Sequence, residues 1–199
     1  MGNAVQQVDV EVQSESQGLE AIQKQVLDLK AQLDSLSKNV AEDKLSMIVF
    51  SGDLDKVLAA FIIATGATAM GMDVVMFFTF WGTPVLRDKG KSAGGKDMMG
   101  KMFGTMLPKG VGGVKLSQMN MGGMGTMMMK SLMKKKNVAS PEQLIEMAGE
   151  LGVRIFICEM SMDLMGFKHE EMIDYPNLTY CGVAKFLEEA QNSKVQLFI

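Results

Sequence analysis

The apolar residues of this chain follow two different periodicities, separated by a stretch that follows neither. Over residues 1 to 42, Leu19, Ile22, Val26, Leu29, Leu33, Leu36 and Val40 alternate steps of three and four, the a/d seam of a heptad repeat. Val5, Val8 and Val12 carry the register toward the N-terminus, interrupted at Glu15 and Gly18, while Gln and Ser fill the remaining faces. A helix starting near Ser14 or Ser16 would present a narrow apolar stripe with no partner in its own segment, so the stripe must dock on something. A strict a/d stripe favours a self-associating coiled coil over the alternative, an amphipathic helix lying on its own domain.

From Lys44 the pattern changes. Leu45 to Phe50 (LSMIVF) predicts a strand, Ser51-Gly52-Asp53 a turn, Leu54 to Met70 a helix, and Val74 to Phe80 a second strand. These strands are apolar without alternation, as expected where helices cover both faces of a parallel sheet. Ser140-Pro141-Glu142 opens a helix to about Leu151, with Ser at the N-cap, Pro at the first helical position and an acidic first turn; Gly152 ends it. Val153 to Cys158 (VRIFIC) follows as a strand, then a helical stretch from near Ser161 and a polar loop from His169 to Pro176. Leu178 to Cys181 predicts a short strand, Gly182 to Gln191 a helix, and Val195 to Ile199 a last strand. The fold class expected is α/β: a doubly wound, mainly parallel sheet of about five strands with helices on both faces, plus the N-terminal heptad helix. The expected division is 1–42 for the heptad segment and 44–199 for the α/β domain. Residues 57 to 72 form an uncharged run of 16 residues; a bilayer span needs about 20 predominantly apolar ones, so a buried helix is expected instead.

Between the two halves, at about residues 85–139, the alternation of strands and helices fails. Residues 85 to 136 carry eleven Lys and Arg against Asp88 and Asp97, and eleven of the chain's 21 methionines. Gly is frequent here too, so a functional or mobile flap is expected rather than packed core, open to the roles of lid, oligomer contact or membrane contact. Flexible Met side chains and positive charge would suit acidic proteins or anionic headgroups.

Composition narrows the chemistry. With 47% hydrophobic and 22% charged residues, a packed core is expected and end-to-end disorder is not. Two cysteines cannot build a disulfide framework, and the start of the chain has no secretory leader pattern, so a cytoplasmic, reducing location is expected. A net charge of -3, with no basic stripe interleaved with aromatics, argues against nucleic-acid binding. The single His169, in the acidic run HEEMID, reads as solvated, and one histidine argues against a His-based metal site. The Met-rich stretch has no interspersed His or Cys to complete a Cu(I) site, so neither metal nor cofactor is expected.

Ligands of parallel α/β sheets gather at the carboxyl ends of the strands. Ser51-Gly52-Asp53 is neither a P-loop nor GxGxxG, and Asp53 as an N-cap explains it better than an anion site. Cys158, the last residue of its strand and just before a helix, is the catalytic candidate: free N–H groups at a helix start favour a thiolate. The competing reading is a small buried hydrophobe ending an apolar run. Cys181 has the same context. Without CxxC a thioredoxin-type dithiol is not supported, and a Cys158–Cys181 disulfide depends on geometry that spacing does not reveal.

The run FSGDLDKVLAAFIIATGATAMGMDVVMFFTFWG (Phe50 to Gly82), the segment MNMGGMGTMMMK and ICEMSMDLMG around Cys158 resemble the DsrE/DsrF-like family, in its larger branch with a long insertion. The resemblance covers about Lys44 to Ile199. It implies a small α/β sulfur-relay protein that assembles as a homo-oligomer. It also implies a strand-end cysteine, here Cys158, that carries sulfane sulfur as a persulfide exchanged with TusA-like carriers and rhodaneses, and it leaves peripheral membrane contact open. The rival expectation is a non-catalytic scaffold or peripheral membrane adaptor with structural cysteines.

Overall fold

The computed structural model of the protein describes residues 22–35 and 41–199. The chain divides into two units, Met1–Val40 and Ala41–Ile199. In the first, residues 22–35 form helix α1, exposed along its whole length. Ile22, Val26, Leu29 and Leu33 of the heptad seam lie on it, with 53–67% of their surface in water. The remaining seam positions, Leu19, Leu36 and Val40, the helix start near Ser14 or Ser16, and the earlier Val5, Val8 and Val12 lie outside the described residues.

The second unit is a five-stranded, wholly parallel sheet in the order β4-β3-β2-β1-β5. The strands are β1 (Glu42–Val49), β2 (Asp73–Phe78), β3 (Arg154–Cys158), β4 (Leu178–Cys181) and β5 (Ser193–Phe198). The helices are α2 (Leu54–Ala69), α3 (Met98–Met106), α4 (Met124–Lys135), α5 (Pro141–Glu150), α6 (Glu159–Met165) and α7 (Val183–Gln191). No helix among the described residues is long and apolar enough to cross a membrane.

The apolar strand runs make sense because both faces are covered, though unequally. On one face Leu45, Met47, Val49, Val74, Met76, Phe78, Ile155 and Ile157 pack with α2 and α5 in the main core. The opposite face holds a smaller cluster, in which Phe186 and Ala190 of α7 meet Val75, Phe77, Phe156, Cys158 and Cys181. Phe186 stacks on Phe77 with ring centroids 5.1 Å apart. The chain reaches β4 by stepping outward from β1, and α7 then carries it back across this second face to β5 on the far edge.

Helix starts follow local chemistry where that chemistry is available. Ser140 forms a complete capping box with Gln143, and Pro141 takes the first turn. Asp53 stands at the N-cap position of α2 but does not cap it; its carboxylate accepts a hydrogen bond from Ser51 Oγ (2.8 Å) and pairs with Lys56 (3.3 Å). The Gly52 requirement is steric. A Cβ there would lie 2.4 Å from the Trp81 carbonyl oxygen, and one at Gly82 would lie 2.2 Å from that of Val49. Glycine thus lets the turn after β1 press backbone to backbone on the 3-10 segment Phe80–Leu86 that follows β2.

The segment expected to be a flap is folded and tied down. Arg87, 2% exposed, donates through its guanidinium to the Gly104 (3.2 Å) and Pro108 (3.3 Å) carbonyls and lies over the Phe167 ring. Glu171, equally buried, pairs with Arg87 (3.5 Å) and with Lys96, and accepts from the Lys168 backbone N–H (3.0 Å). Two of the eleven basic charges are therefore spent inside the molecule on one carboxylate. The methionines behave as expected of non-core residues: Met98, Met106, Met119 and Met127 are largely in water, whereas Met133 is buried.

Candidate functional site

Cys158 and Cys181 are the last residues of β3 and β4, and strand register makes them direct partners. Residues opposite one another on parallel neighbours point the same way, and both cysteines belong to the small cluster beneath α7. Both are free thiols and both are buried, Cys158 at 3% exposure and Cys181 at 8%. Spacing along the chain had left this geometry open. The fold closes it by bringing the chain's two cysteines side by side.

The two helices that follow the cysteines frame the site. α6 begins at Glu159, directly after Cys158, rather than near Ser161. Cys158 is its N-cap residue but makes no side-chain cap bond, and Glu159 places a carboxylate in the first turn. Seven residues and an acidic first turn make this a weaker anion-stabilising end than the sequence suggested. What distinguishes Cys158 structurally is its neighbour Cys181. Burial pushes the Cys181 thiol upward, the charges of Cys158 and Glu159 add to that, and Lys185 opposes it. Cys181 is therefore held in the protonated form.

α6 is fixed at both ends. Ser161, fully buried, accepts from the Phe80 backbone N–H (3.0 Å) and shares a hydrogen bond with Thr79 Oγ1 (2.9 Å), pinning it to the end of β2. Phe80 has φ +44°, a strained value for an aromatic residue, at the point where this bond holds its backbone. At the other end Gly166 has φ +62°, and a Cβ there would fall 2.5 Å from Gly100 Cα in α3. The insertion thus braces the helix that follows Cys158. Gly166→Ala should therefore lower unfolding stability by about 1–3 kcal/mol, from left-handed strain plus overpacking, read as a drop in the melting temperature.

α7 roofs the cysteines and is anchored at one end. In its last turn Glu189 takes two hydrogen bonds from Arg154 (2.6 and 3.1 Å) and one from Lys44 (3.1 Å). The Arg154 hydrogen bond, and behind it Lys44, hold the Glu189 carboxyl below its ordinary value against the cost of burial. At the other end Gly182 gives no side-chain cap, and Val183, Ala184 and Lys185 are exposed.

His169 is exposed and stacks flat on Tyr180 at 3.8 Å. Glu171, two residues on in the same acidic run, is the buried partner of Arg87 and Lys96. No group of three or more His, Cys, Asp or Glu among the described residues is placed to hold a metal. Clefts of about 720, 650 and 980 Å³ open elsewhere on the surface, and neither cysteine lines any of them.

Residues 41–198 match the DsrE/DsrF/DrsH-like family. Among individual relatives, the chain is 46% identical over 156 residues to YrkE of Bacillus subtilis (strain 168), covering 78% of this chain and 96% of that one. It is 37% identical over 170 residues to the sulfur carrier protein DsrE2 of Allochromatium vinosum (strain ATCC 17899), covering 79% of this chain and 99% of that one. With a strand-end cysteine pair in a parallel α/β sheet and a family match spanning that whole sheet, the chain belongs to the DsrE/DsrF/DrsH-like family.

Proposed function

We propose that this protein is a sulfur carrier of a relay, in which Cys158 holds sulfane sulfur as a persulfide and hands it to the thiolate of a partner protein such as a TusA-like carrier or a rhodanese. The observation that carries this reading is the strand-end Cys158 beside Cys181 in a chain 37% identical to a named sulfur carrier. Loading would be an exchange: the Cys158 thiolate attacks the outer sulfur of a donor persulfide, the donor thiolate leaves, and delivery repeats the step in reverse with an acceptor thiolate. The surroundings suit a protein donor better than a small molecule. None of the three clefts reaches the cysteines, whereas Met160, Leu164, Val183 and Leu187 on α6 and α7 are each at least half exposed and offer apolar surface to a partner. The test is intact-protein mass after incubation with a persulfide donor, with addition of sulfur that a thiol reductant reverses as the expected result.

Burial of both thiols is the observation that favours the second reading, a non-catalytic scaffold with structural cysteines. Under that reading neither cysteine takes up sulfur or alkylates in the native state.

Assembly follows from α1. A helix of this length with Ile22, Val26, Leu29 and Leu33 in water gains little from propensity alone, and pairing the seam with a second copy covers it. Deleting residues 1–40 is expected to lower the oligomer mass seen by light scattering while leaving the circular dichroism of the 41–199 unit unchanged. An unchanged mass would assign the seam to some other role.

A further inference from the structure

We propose that Cys181 is the resolving thiol for a persulfide on Cys158, so that the two cysteines form a sulfur-releasing dithiol pair. The inference rests on the persulfide reading for its first step and on strand geometry for its second. Adjacent strands run about 4.7–4.9 Å apart, within the roughly 4.4–6.8 Å range of Cα separations that a disulfide spans. Cys158 and Cys181 occupy directly paired positions on such strands, and their side chains share one face and one apolar cluster. The chain has no other cysteine, so a persulfide at Cys158 meets a single internal thiol.

The step balances without an added oxidant. Cys181 sulfur attacks Cys158 Sγ, the inner sulfur of the persulfide; the Sγ–S bond to the outer sulfur breaks, and a Cys158–Cys181 disulfide forms. The outer sulfur departs with the bonding electron pair, reduced from the sulfane to the sulfide level. It takes the proton from the Cys181 thiol and leaves as hydrogen sulfide. A dithiol reductant then restores both cysteines.

Because Cys181 is held protonated by burial and by the charges beside it, it is a slow nucleophile at rest. An acceptor thiolate that docks in time collects the sulfur first. Without one, the pair discharges it and leaves the carrier oxidised, which marks an idle carrier chemically.

The test uses full-length wild type, Cys158→Ser and Cys181→Ser, loaded with sodium polysulfide, freed of excess and followed by intact mass, sulfide release and peptide mapping. Wild type should gain sulfur and then lose it with release of sulfide and appearance of a Cys158–Cys181 crosslink. Cys181→Ser should keep its sulfur until an external thiol is added. In a separate arm, diamide treatment of unsulfurated wild type should produce the same crosslink. Equal retention in wild type and Cys181→Ser, or failure of diamide to crosslink the pair, would overturn the resolving role and leave the carrier reading standing. Absence of sulfur uptake in both proteins would overturn the carrier reading, and the resolving step with it.

Discussion

Cys158→Ser is expected to fold and to gain no sulfur from a persulfide donor, while Cys181→Ser still loads. Serine keeps the size of the side chain and removes the polarizable nucleophile, so the chemistry is lost while packing changes little. The contrast is sharp because both cysteines are buried, both end their strands and both lie in the same apolar cluster, so purely structural roles predict similar effects from either substitution. A hydroxyl placed in this apolar cluster costs about 1–3 kcal/mol if left unpaired, so the variant should melt somewhat earlier and remain native. Intact mass after loading, with a thermal melt of the same sample, reads both effects. Sulfur uptake by Cys158→Ser at the wild-type level would remove Cys158 from the mechanism. Stability loss with no wild-type uptake would identify the pair as structural.

The largest effect on stability is expected from Glu171→Gln. That substitution leaves Arg87 and Lys96 without the carboxylate they share in a site where all three side chains are almost wholly enclosed. Breaking a buried pair by removing one partner costs about 3–5 kcal/mol, which for a unit of this size corresponds to about 6–20 °C in melting temperature. The same group gives the protein an acid limit. Burial alone would raise the Glu171 carboxyl, but the hydrogen bonds from Lys96 and the Lys168 backbone, with the Lys96 and Arg87 charges, hold it below its ordinary value. A depressed carboxylate means the unfolded chain binds the proton more readily. Its stabilisation is thus complete above the unfolded value of about 4.3 and is lost as pH falls through the lower folded value. Melts between neutral pH and pH 3 should show wild type losing this increment below about pH 4. The Glu171→Gln protein, lacking the titrating group, should show a shallower loss. Parallel curves would mean that other carboxylates carry the acid sensitivity.

The sheet was readable because its strands are short apolar runs closed by Gly, Asp or Pro, and β4 falls on the expected residues, Leu178 to Cys181. β1 and β5 begin earlier than their apolar runs, at Glu42 and Ser193, because distant partners accommodate polar residues there. Lys44 is buried against Glu189, and Ser46 Oγ meets Ser193 Oγ at 2.6 Å. No local pattern carries that information. The buried role of Glu171 was invisible for the same reason: its partners Arg87 and Lys96 lie far earlier in the chain, in the segment that leads to α3. Cys158 was identifiable as a strand-end thiol. Its pairing with Cys181 required the register of β3 on β4, a long-range property, and so did the recognition that the insertion is fastened to the domain rather than hanging from it.

The one-sided anchoring of α7 makes its first turn the less firmly held end of the cover over the two thiols. Glu189 clamps the last turn of the helix to Arg154 and Lys44, so the helix cannot lift as a whole without breaking that cluster. The first turn has no side-chain cap, and of its residues Phe186 alone is buried. Withdrawing one aromatic side chain from its pocket costs about 1.5–3 kcal/mol, well below the cost of unfolding a whole domain. Lifting of that single turn would be a local fluctuation that leaves the sheet and the core formed. A partner that takes up Phe186 on docking would hold that turn open only while it is bound.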